Sequence, residues 1–149
     1  MNEFIVWNKK KNKFENNIYN AYRGDLLEFV RNSAGSLAIR TVNSIYSAEN
    51  ESLKGYDCVA YDYISIKDIN NNKIYADSSI IEFDLGLYSN RKKVIGYFTF
   101  NDILLNYEIL ILNNAEVNCE AIIDYNPFTC MNFKIIDTIQ VNKLGLING

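Results

Sequence analysis

Hydrophobic and polar residues alternate over short runs of this chain, which is typical of strands that bury one face. The alternation is clearest in the C-terminal part, where the runs follow one another at about ten-residue intervals and polar turns separate them. Such spacing favours an antiparallel barrel or sandwich over alternating βαβ units. The predicted strands of this part are Cys58–Ile66, Lys73–Phe83, Lys93–Phe100, Tyr107–Leu112, Val117–Asp124 and Phe133–Val141.

The N-terminal part has a weaker pattern. Glu3–Trp7 predicts a strand that ends at a lysine-rich turn, and Phe14–Tyr19 predicts a second strand. Gly24–Asn32 fits either a helical face or a strand, because its apolar residues suit both and the segment is short. Ser36–Ile45 alternates and predicts a strand that closes against it, whereas the polar segment Tyr46–Tyr56 predicts a linker or a long loop.

These elements predict a mainly β, antiparallel protein. We expect an N-terminal β or α+β region at residues 1–55 and a C-terminal small barrel at residues 56–149, or one continuous domain. Asn70–Asn72 predicts a hairpin turn that Asp68 begins, since asparagine tolerates the positive φ that hairpin turns demand. Asp77–Ser79 predicts a bulge or a tight corner, and Cys58–Ile66 a strand that bends midway.

Composition and charge narrow the function classes. The net charge is −3 and the pI is near 5.0, whereas proteins that bind duplex nucleic acid usually carry a basic face. Cys58, Cys119 and Cys130 are odd in number, widely separated and in apolar surroundings, which predicts buried free thiols in a reducing cytosol. No segment approaches the apolar length of a membrane span. We therefore predict a cytoplasmic protein without a membrane segment.

Catalytic chemistry finds little support in the sequence. The chain has no histidine, so a serine or cysteine nucleophile would lack its commonest base. Gly86 and Gly96 are isolated, and a phosphate-binding loop needs closely spaced glycines. Carboxylates near turns, such as the pair Asp57 and Asp62, are normally solvated. The set Asp77, Glu82 and Asp84 is interpreted in the same way. We predict no enzyme activity, no cofactor and no metal site.

Three blocks of the sequence occur in an order that is typical of one protein family. They are Phe4–Lys10 near the N-terminus, Asp68–Asn71 with Lys73–Tyr75 and Ile80–Phe83 in the middle, and Phe133–Ile139 in the C-terminal part. These blocks resemble the YopX family of phage and prophage proteins. The N-terminal block is similar to its Phe-Arg-Ala-Trp-Asp-Lys opening, the central block to its signature Leu-x-Asp-x-x-Gly-x-x-Ile-Tyr-x-Gly-Asp-Ile-Val, and the C-terminal block to its closing Phe-x-Val-Ile-Gly-Asn-Ile. Asp77–Ser79 replaces the Gly-Asp pair, and Asp137 replaces the second glycine. The resemblance implies a mostly β protein with an SH3-like C-terminal roll, and it implies no established activity.

The leading functional hypothesis is a non-enzymatic phage accessory protein that binds a host bacterial protein and interferes with a defence or regulatory system. Tyrosine and tryptophan favour interfaces because they combine a large apolar area with a polar group. The candidate anchors are Trp7, Tyr19, Tyr22, Tyr46, Tyr56, Tyr61 and Tyr63. Assembly into a homo-oligomer stays open.

The alternative hypothesis is a small barrel that binds nucleic acid, with aromatic residues for base stacking beside a basic groove. Its candidate patch is Lys9, Lys10, Lys11 and Lys13, with Trp7, Arg91, Lys92 and Lys93 as further candidates. An exposed turn between two strands is the simpler interpretation of the lysines, and nucleic acid is the less favoured partner.

Overall fold

The computed structural model describes residues 3–15, 18–20, 25–41, 44–52, 55–112 and 121–147. Apart from a short 3-10 helix at Tyr88–Asn90, the regular elements described there are β-strands. The strand pairs whose register is described are antiparallel. The predicted fold class, mainly β and antiparallel, is therefore confirmed. The chain forms two compact units, Glu3–Tyr61 and Asp62–Gly149. They divide within the strand that follows the boundary predicted at residues 55/56.

The N-terminal unit consists of short strands. They are β1 (Phe4–Asn8), β2 (Lys13–Glu15), β3 (Ile18–Asn20), β4 (Asp25–Arg31), β5 (Leu37–Arg40), β6 (Ile45–Ser47) and the first residues of β7 (Cys58–Lys67). β1 and β2 form a hairpin, and β3 to β6 form a sheet in chain order. The buried apolar side chains that pack together in this unit are Val6, Leu37, Ile39, Ala48 and Cys58.

Two N-terminal predictions are resolved by backbone pairing. The ambiguous segment Gly24–Asn32 contains strand β4, because residues of β5 pair with it along Glu28–Arg31. The prediction of a loop over Tyr46–Tyr56 is wrong at its start, where β6 pairs with β5. Ala48 is fully buried. Its N–H donates to the Leu37 carbonyl at 3.1 Å, and its carbonyl accepts from the Cys58 N–H at 2.8 Å.

The strands of the C-terminal unit are β8 (Lys73–Tyr75), β9 (Ser79–Leu85), β10 (Lys92–Asn101), β11 (Asn106–Ile111), β12 (Ala121–Asp124) and β13 (Cys130–Thr138), together with the remainder of β7. Five of them form a sheet that curls into a half barrel, in the order β12-β11-β10-β9-β13. Pro127 lies in the loop between β12 and β13. Of the predicted strand Val117–Asp124, only the residues from Ala121 onward lie within the described part of the chain.

Aromatic side chains and close strand packing hold this sheet together. The rings of Phe83 and Phe98 lie 5.3 and 5.5 Å from the ring of Phe133, and all three side chains are buried. At Gly96 an added Cβ would lie 2.5 Å from the carbonyl oxygen of Leu110 on the neighbouring strand. β10 and β11 therefore approach at a distance that only glycine allows at this position.

The predicted hairpin turn joins β7 to β8 around one carboxylate. Asp68 accepts hydrogen bonds from the N–H groups of Asn70 and Asn72 at 2.9 and 2.8 Å. Asn71 has φ 64°, as the turn chemistry requires, although the neighbouring asparagines do not share that conformation. The other carboxylate oxygen of Asp68 accepts from the N–H of Ile135 on β13 at 3.1 Å, so the turn is fixed to the sheet.

The strand predicted over Lys73–Phe83 is in fact two strands. The chain turns between β8 and β9, with Asp77 at φ 58°, which is the tight corner expected at Asp77–Ser79. β8 pairs with β7, whereas β9 pairs with β10 and β13. The predicted bend in β7 is present, since Ser65 has φ 66° and the pairing with β8 shifts between Tyr63 and Lys67. Of the strand predicted over Phe14–Tyr19, the described residues lie in β2 and β3, and residues 16–17 lie outside the described part.

Candidate functional site

The turn between β10 and β11 exposes a group of large apolar side chains. Its members, which we call the apolar tip, are Phe100 (42% exposed), Ile103 (91%), Leu104 (63%) and Leu105 (75%). Hairpin turns are normally built from glycine, asparagine, aspartate and other polar residues. Contiguous exposed apolar side chains mark surfaces that bind a partner more often than ordinary surface does.

Asn101 organises the backbone of the tip from its base. Its side-chain oxygen accepts from the N–H groups of Ile103 and Leu104 at 3.0 and 2.9 Å. Its side-chain N–H donates to Glu108 of β11 at 2.7 Å, and its carbonyl accepts from the Leu105 N–H at 2.8 Å. Asn101 thus satisfies the backbone N–H groups of three consecutive turn residues, and the apolar side chains project from an ordered support.

Leu105 adopts the left-handed conformation, with φ 56°. For a bulky residue this conformation is an outlier that costs about 1 kcal/mol or more relative to glycine. A leucine that is both strained and exposed contributes little to the stability of the fold. Such residues are found at functional sites, where the side chain is required for another purpose.

An aromatic pair closes the base of the tip. Phe100 lies opposite Tyr107 across the two strands, with ring centroids 5.2 Å apart in an edge-to-face arrangement. Cross-strand aromatic pairs stabilise hairpins by about 0.2–1 kcal/mol. The sequence pattern predicts a turn between two strands here but does not predict that its apolar side chains are exposed. The available signal was the apolar run Ile103–Leu105 between polar residues of a turn.

Among the residues whose side chains are described, three of the aromatic anchors predicted for the N-terminal unit pack against other aromatic rings. Trp7 is only 8% exposed and packs edge-on against Phe14, with centroids 4.8 Å apart. It therefore offers little surface to a partner. Tyr56 lies 6.4 Å from both Tyr46 and Phe29, beside the buried cluster of the unit. Burial, and secondly the Tyr46 hydroxyl, raise the pKa of Tyr56 above its ordinary value.

Of the remaining predicted anchors, the structure describes the side chains of two. Tyr61 and Tyr63 are both half-buried on β7. The ring of Tyr63 lies 6.0 Å from that of Tyr75, and the Lys73 ammonium lies 5.5 Å from the Tyr63 ring centre. The side chain of Tyr19 and the whole of Tyr22 lie outside the part of the chain that the structure describes.

The predicted lysine patch lies on an exposed turn between β1 and β2. The four side chains, Lys9, Lys10, Lys11 and Lys13, are all exposed. Lys9 pairs with Asp57 at 3.3 Å. The buried side chain of Asn8 accepts from the N–H groups of Lys10 and Lys11. Because Trp7 is buried, this turn presents lysines but no exposed tryptophan on which a base could stack.

The further cations of the alternative hypothesis, Arg91, Lys92 and Lys93, are exposed where β10 begins. The Lys93 ammonium is shared between two carboxylates, at 3.8 Å from Glu82 and 3.7 Å from Asp84. Two of the carboxylates considered as a catalytic set are therefore in ion-pair range of one lysine.

Potential metal ligands and thiols are the remaining candidate groups. Among the described residues, no three His, Cys, Asp or Glu side chains come together as metal ligands would. Cys58 and Cys130 are buried free cysteines, as predicted, whereas Cys119 lies outside the described part. Burial, followed by the charges of Glu15 and Asp57, raises the pKa of Cys58 to about 11. Predictions about metals, cofactors and catalysis stay predictions.

Within the described part of the chain, no helix has the length and apolar character that crossing a bilayer requires. Comparison with protein families finds no family model that matches the chain, and comparison with curated proteins finds no match. Membership of the YopX family stays a prediction that rests on the sequence blocks given above.

Proposed function

We propose that this chain is a non-enzymatic binding protein that attaches to a protein partner through the apolar tip. The observation that carries the proposal is the exposure of Ile103, Leu104 and Leu105 on an ordered turn. A rigid apolar projection loses little conformational entropy when it enters a pocket, so it is a suitable anchor for recognition. The biological setting that we propose is a phage or prophage accessory protein of YopX type that binds a host bacterial protein and interferes with a defence or regulatory system.

The binding free energy of the tip follows from the apolar surface that it would bury. Complete burial of one leucine or isoleucine side chain is worth about 2 kcal/mol, which corresponds to roughly 30-fold in Kd. Two such residues inserted together therefore decide whether a micromolar complex forms. Small interfaces commonly depend on a few central residues of this kind.

The proposal is tested by tagged protein expressed in a susceptible bacterium and recovered with its bound proteins. The test variant carries Ile103→Ser and Leu104→Ser, and the control variant carries Ile69→Ser and Leu144→Ser. The control residues have the same side chains and are 61% and 56% exposed elsewhere in the same unit. We expect one discrete partner with the wild type and the control but not with the test variant. Equal recovery with both variants would overturn the proposal.

The nucleic-acid alternative is favoured by one observation, an exposed aromatic residue near two exposed cations. Tyr88, in the connection from β9 to β10, is 87% exposed, and it precedes Arg91 and the first residue of β10, Lys92, in the sequence. Mobility shifts with single- and double-stranded DNA and RNA at two salt concentrations separate the two functions, because counterion release makes true nucleic-acid binding weaken steeply with salt. We expect no salt-sensitive shift.

A further inference from the structure

Carboxylates line the sheet beside the apolar tip. Thr99 of β10 lies opposite Glu108 of β11, and Glu108 lies opposite Asp124 of β12. Asp77, at the corner before β9, hydrogen-bonds the Thr99 side chain. We call these three carboxylates, Asp77, Glu108 and Asp124, the acidic row.

Two members of the acidic row, Glu108 and Asp124, lie on the face of the sheet that points away from the core. Phe98 and Ile109 are fully buried, and successive side chains of a strand point to opposite faces. Thr99 and Glu108 therefore lie on the outer face, and Asp124 is exposed there. Asp102, also exposed, adds a fourth carboxylate within the tip itself.

Basic residues are missing from this stretch of sequence. No lysine or arginine occurs between Lys93 and Lys134. Lys93 lies at the opposite end of β10 from the tip, close to Glu82 and Asp84. Glu108 and Asp124 oppose each other as like charges, an arrangement that weakens a sheet unless a cation relieves it.

We propose that the apolar tip docks into an apolar pocket of a protein whose rim carries lysine or arginine. This inference rests on the proposed function and specifies the chemistry of the partner. The tip supplies the apolar anchor, and the acidic row with Asp102 faces the basic rim. Complementary charge around an apolar centre steers association and excludes wrong partners.

The charge of the acidic row also argues against two other partners of the tip, an anionic bilayer and a second copy of the chain. An anionic bilayer attracts basic segments and repels carboxylates, so the acidic row opposes insertion of the tip into such a surface. A symmetric dimer through the tips would bring the same patch of both copies together. It would therefore place each acidic row against the other.

The test uses amide NMR titrations of the full chain with three synthetic peptides. The first is an amphipathic helix of leucine and lysine, the second has glutamate in place of lysine, and the third has serine in place of leucine. We expect only the leucine–lysine peptide to shift the amides of Asn101–Asn106, with an affinity that falls several-fold when NaCl is raised from low to physiological concentration. The variant E108Q/D124N should bind this peptide several-fold more weakly and with a smaller salt dependence.

Matched variants separate this inference from the proposed function. The substitution E108Q keeps a side-chain acceptor for Asn101, and removing the like-charge pair should leave the thermal midpoint of E108Q/D124N unchanged or raised. I103S/L104S should bind none of the peptides. Equal binding of the lysine and glutamate peptides at the tip would contradict the inference of a basic rim on the partner. The proposal that the tip binds a protein would still stand. Binding of phosphatidylserine vesicles at the tip, with no peptide binding there, would overturn both.

Discussion

At the scale of single residues, the left-handed positions show how this chain makes its turns. Within the described part of the chain, ten non-glycine residues have positive φ, and five of them are asparagines: Asn12, Asn50, Asn71, Asn132 and Asn142. Asparagine tolerates this conformation better than other side chains with a Cβ. Leu105 is an exception, because its branched apolar side chain gains nothing from the conformation and is exposed.

Leu105→Asn should stabilise the fold and weaken the binding of a partner. We expect the free energy of unfolding to rise by about 0.5–1 kcal/mol, because asparagine relieves the strain at positive φ and little apolar burial is lost. Urea denaturation measures the first effect, and recovery of the partner measures the second. A loss of stability, or unchanged recovery, would contradict the interpretation of Leu105 as a functional residue.

Asp68 makes stability depend on pH. Burial by itself would raise its pKa, but the N–H groups of Asn72, Ile135 and Asn70 hydrogen-bond the carboxylate and hold the pKa below its ordinary value. The carboxylate therefore contributes stability that is complete above the unfolded pKa of about 3.9 and is lost as pH falls through the folded pKa.

The pH effect should shrink when Asp68 is replaced. We expect Asp68→Asn to lower the free energy of unfolding by about 2–3 kcal/mol at pH 7. The substitution removes the negative charge and one of the two oxygens that accept hydrogen bonds from the three N–H groups. Urea denaturation at pH 7 and pH 3 should show a smaller acid destabilisation in the variant than in the wild type. Asp102→Asn, an exposed change, serves as the control. An equal acid effect in Asp68→Asn and wild type would show that Asp68 is not responsible.

Cys58 should be chemically inert in the native protein. Its side chain is 3% exposed, and a pKa raised to about 11 leaves almost no thiolate at pH 8. Because the thiolate is the reactive form, alkylation should proceed only as fast as the protein opens. Mass spectrometry after brief iodoacetamide treatment, with and without urea, measures this. Rapid native labelling at Cys58 would refute the prediction.

At the scale of elements, the β10–β11 hairpin depends on one close approach. Gly96→Ala would place a Cβ 2.5 Å from the Leu110 carbonyl oxygen, and backbone rather than a flexible side chain would have to move. We expect a loss of about 2–3 kcal/mol in stability, which is the usual cost of overpacking. Lys92→Ala, exposed on the same strand, is the control in thermal denaturation. A thermal midpoint of Gly96→Ala within a degree of that of the wild type would contradict the close approach of the two strands.

Alternation of apolar residues predicted most strands of the C-terminal unit, because the buried face of a strand leaves a period of two in the sequence. It did not predict the division of Lys73–Phe83 into β8 and β9. Ile74, Ala76, Ile80 and Ile81 are all buried, so apolar residues resume on both sides of the polar run Asp77–Ser79. That run predicted a corner, but it did not predict that the two segments pair with different strands. The three-residue strands β2, β3 and β6 were also too short for a periodicity to be read.

The tip shows the limit of the same argument at the level of the site. Periodicity identifies residues that prefer burial, but only tertiary packing decides which of them are buried. Trp7 was expected at a surface and packs against Phe14, whereas Ile103 lies 91% exposed in a turn. Cross-strand register, which the sequence does not contain, is what brings Glu108 and Asp124 together.

At the scale of the whole molecule, charge is unevenly distributed along the chain. The net charge is only −3, which by itself favours no class of partner. The segment between Lys93 and Lys134 is entirely free of basic residues, whereas lysines cluster near the N-terminus. The C-terminal unit presents an apolar tip with acidic surroundings, and this local chemistry, rather than the total charge, supports a protein partner.

The central claim, that the apolar tip binds a protein, is tested most directly by site-specific photocrosslinking in a susceptible bacterium. In one variant benzoylphenylalanine replaces Ile103. In the other variant it replaces Ile69, an exposed isoleucine of another turn. The account predicts a single light-dependent protein adduct from position 103 and none from position 69. The absence of an adduct at position 103, or the same adducts from both positions, would contradict it.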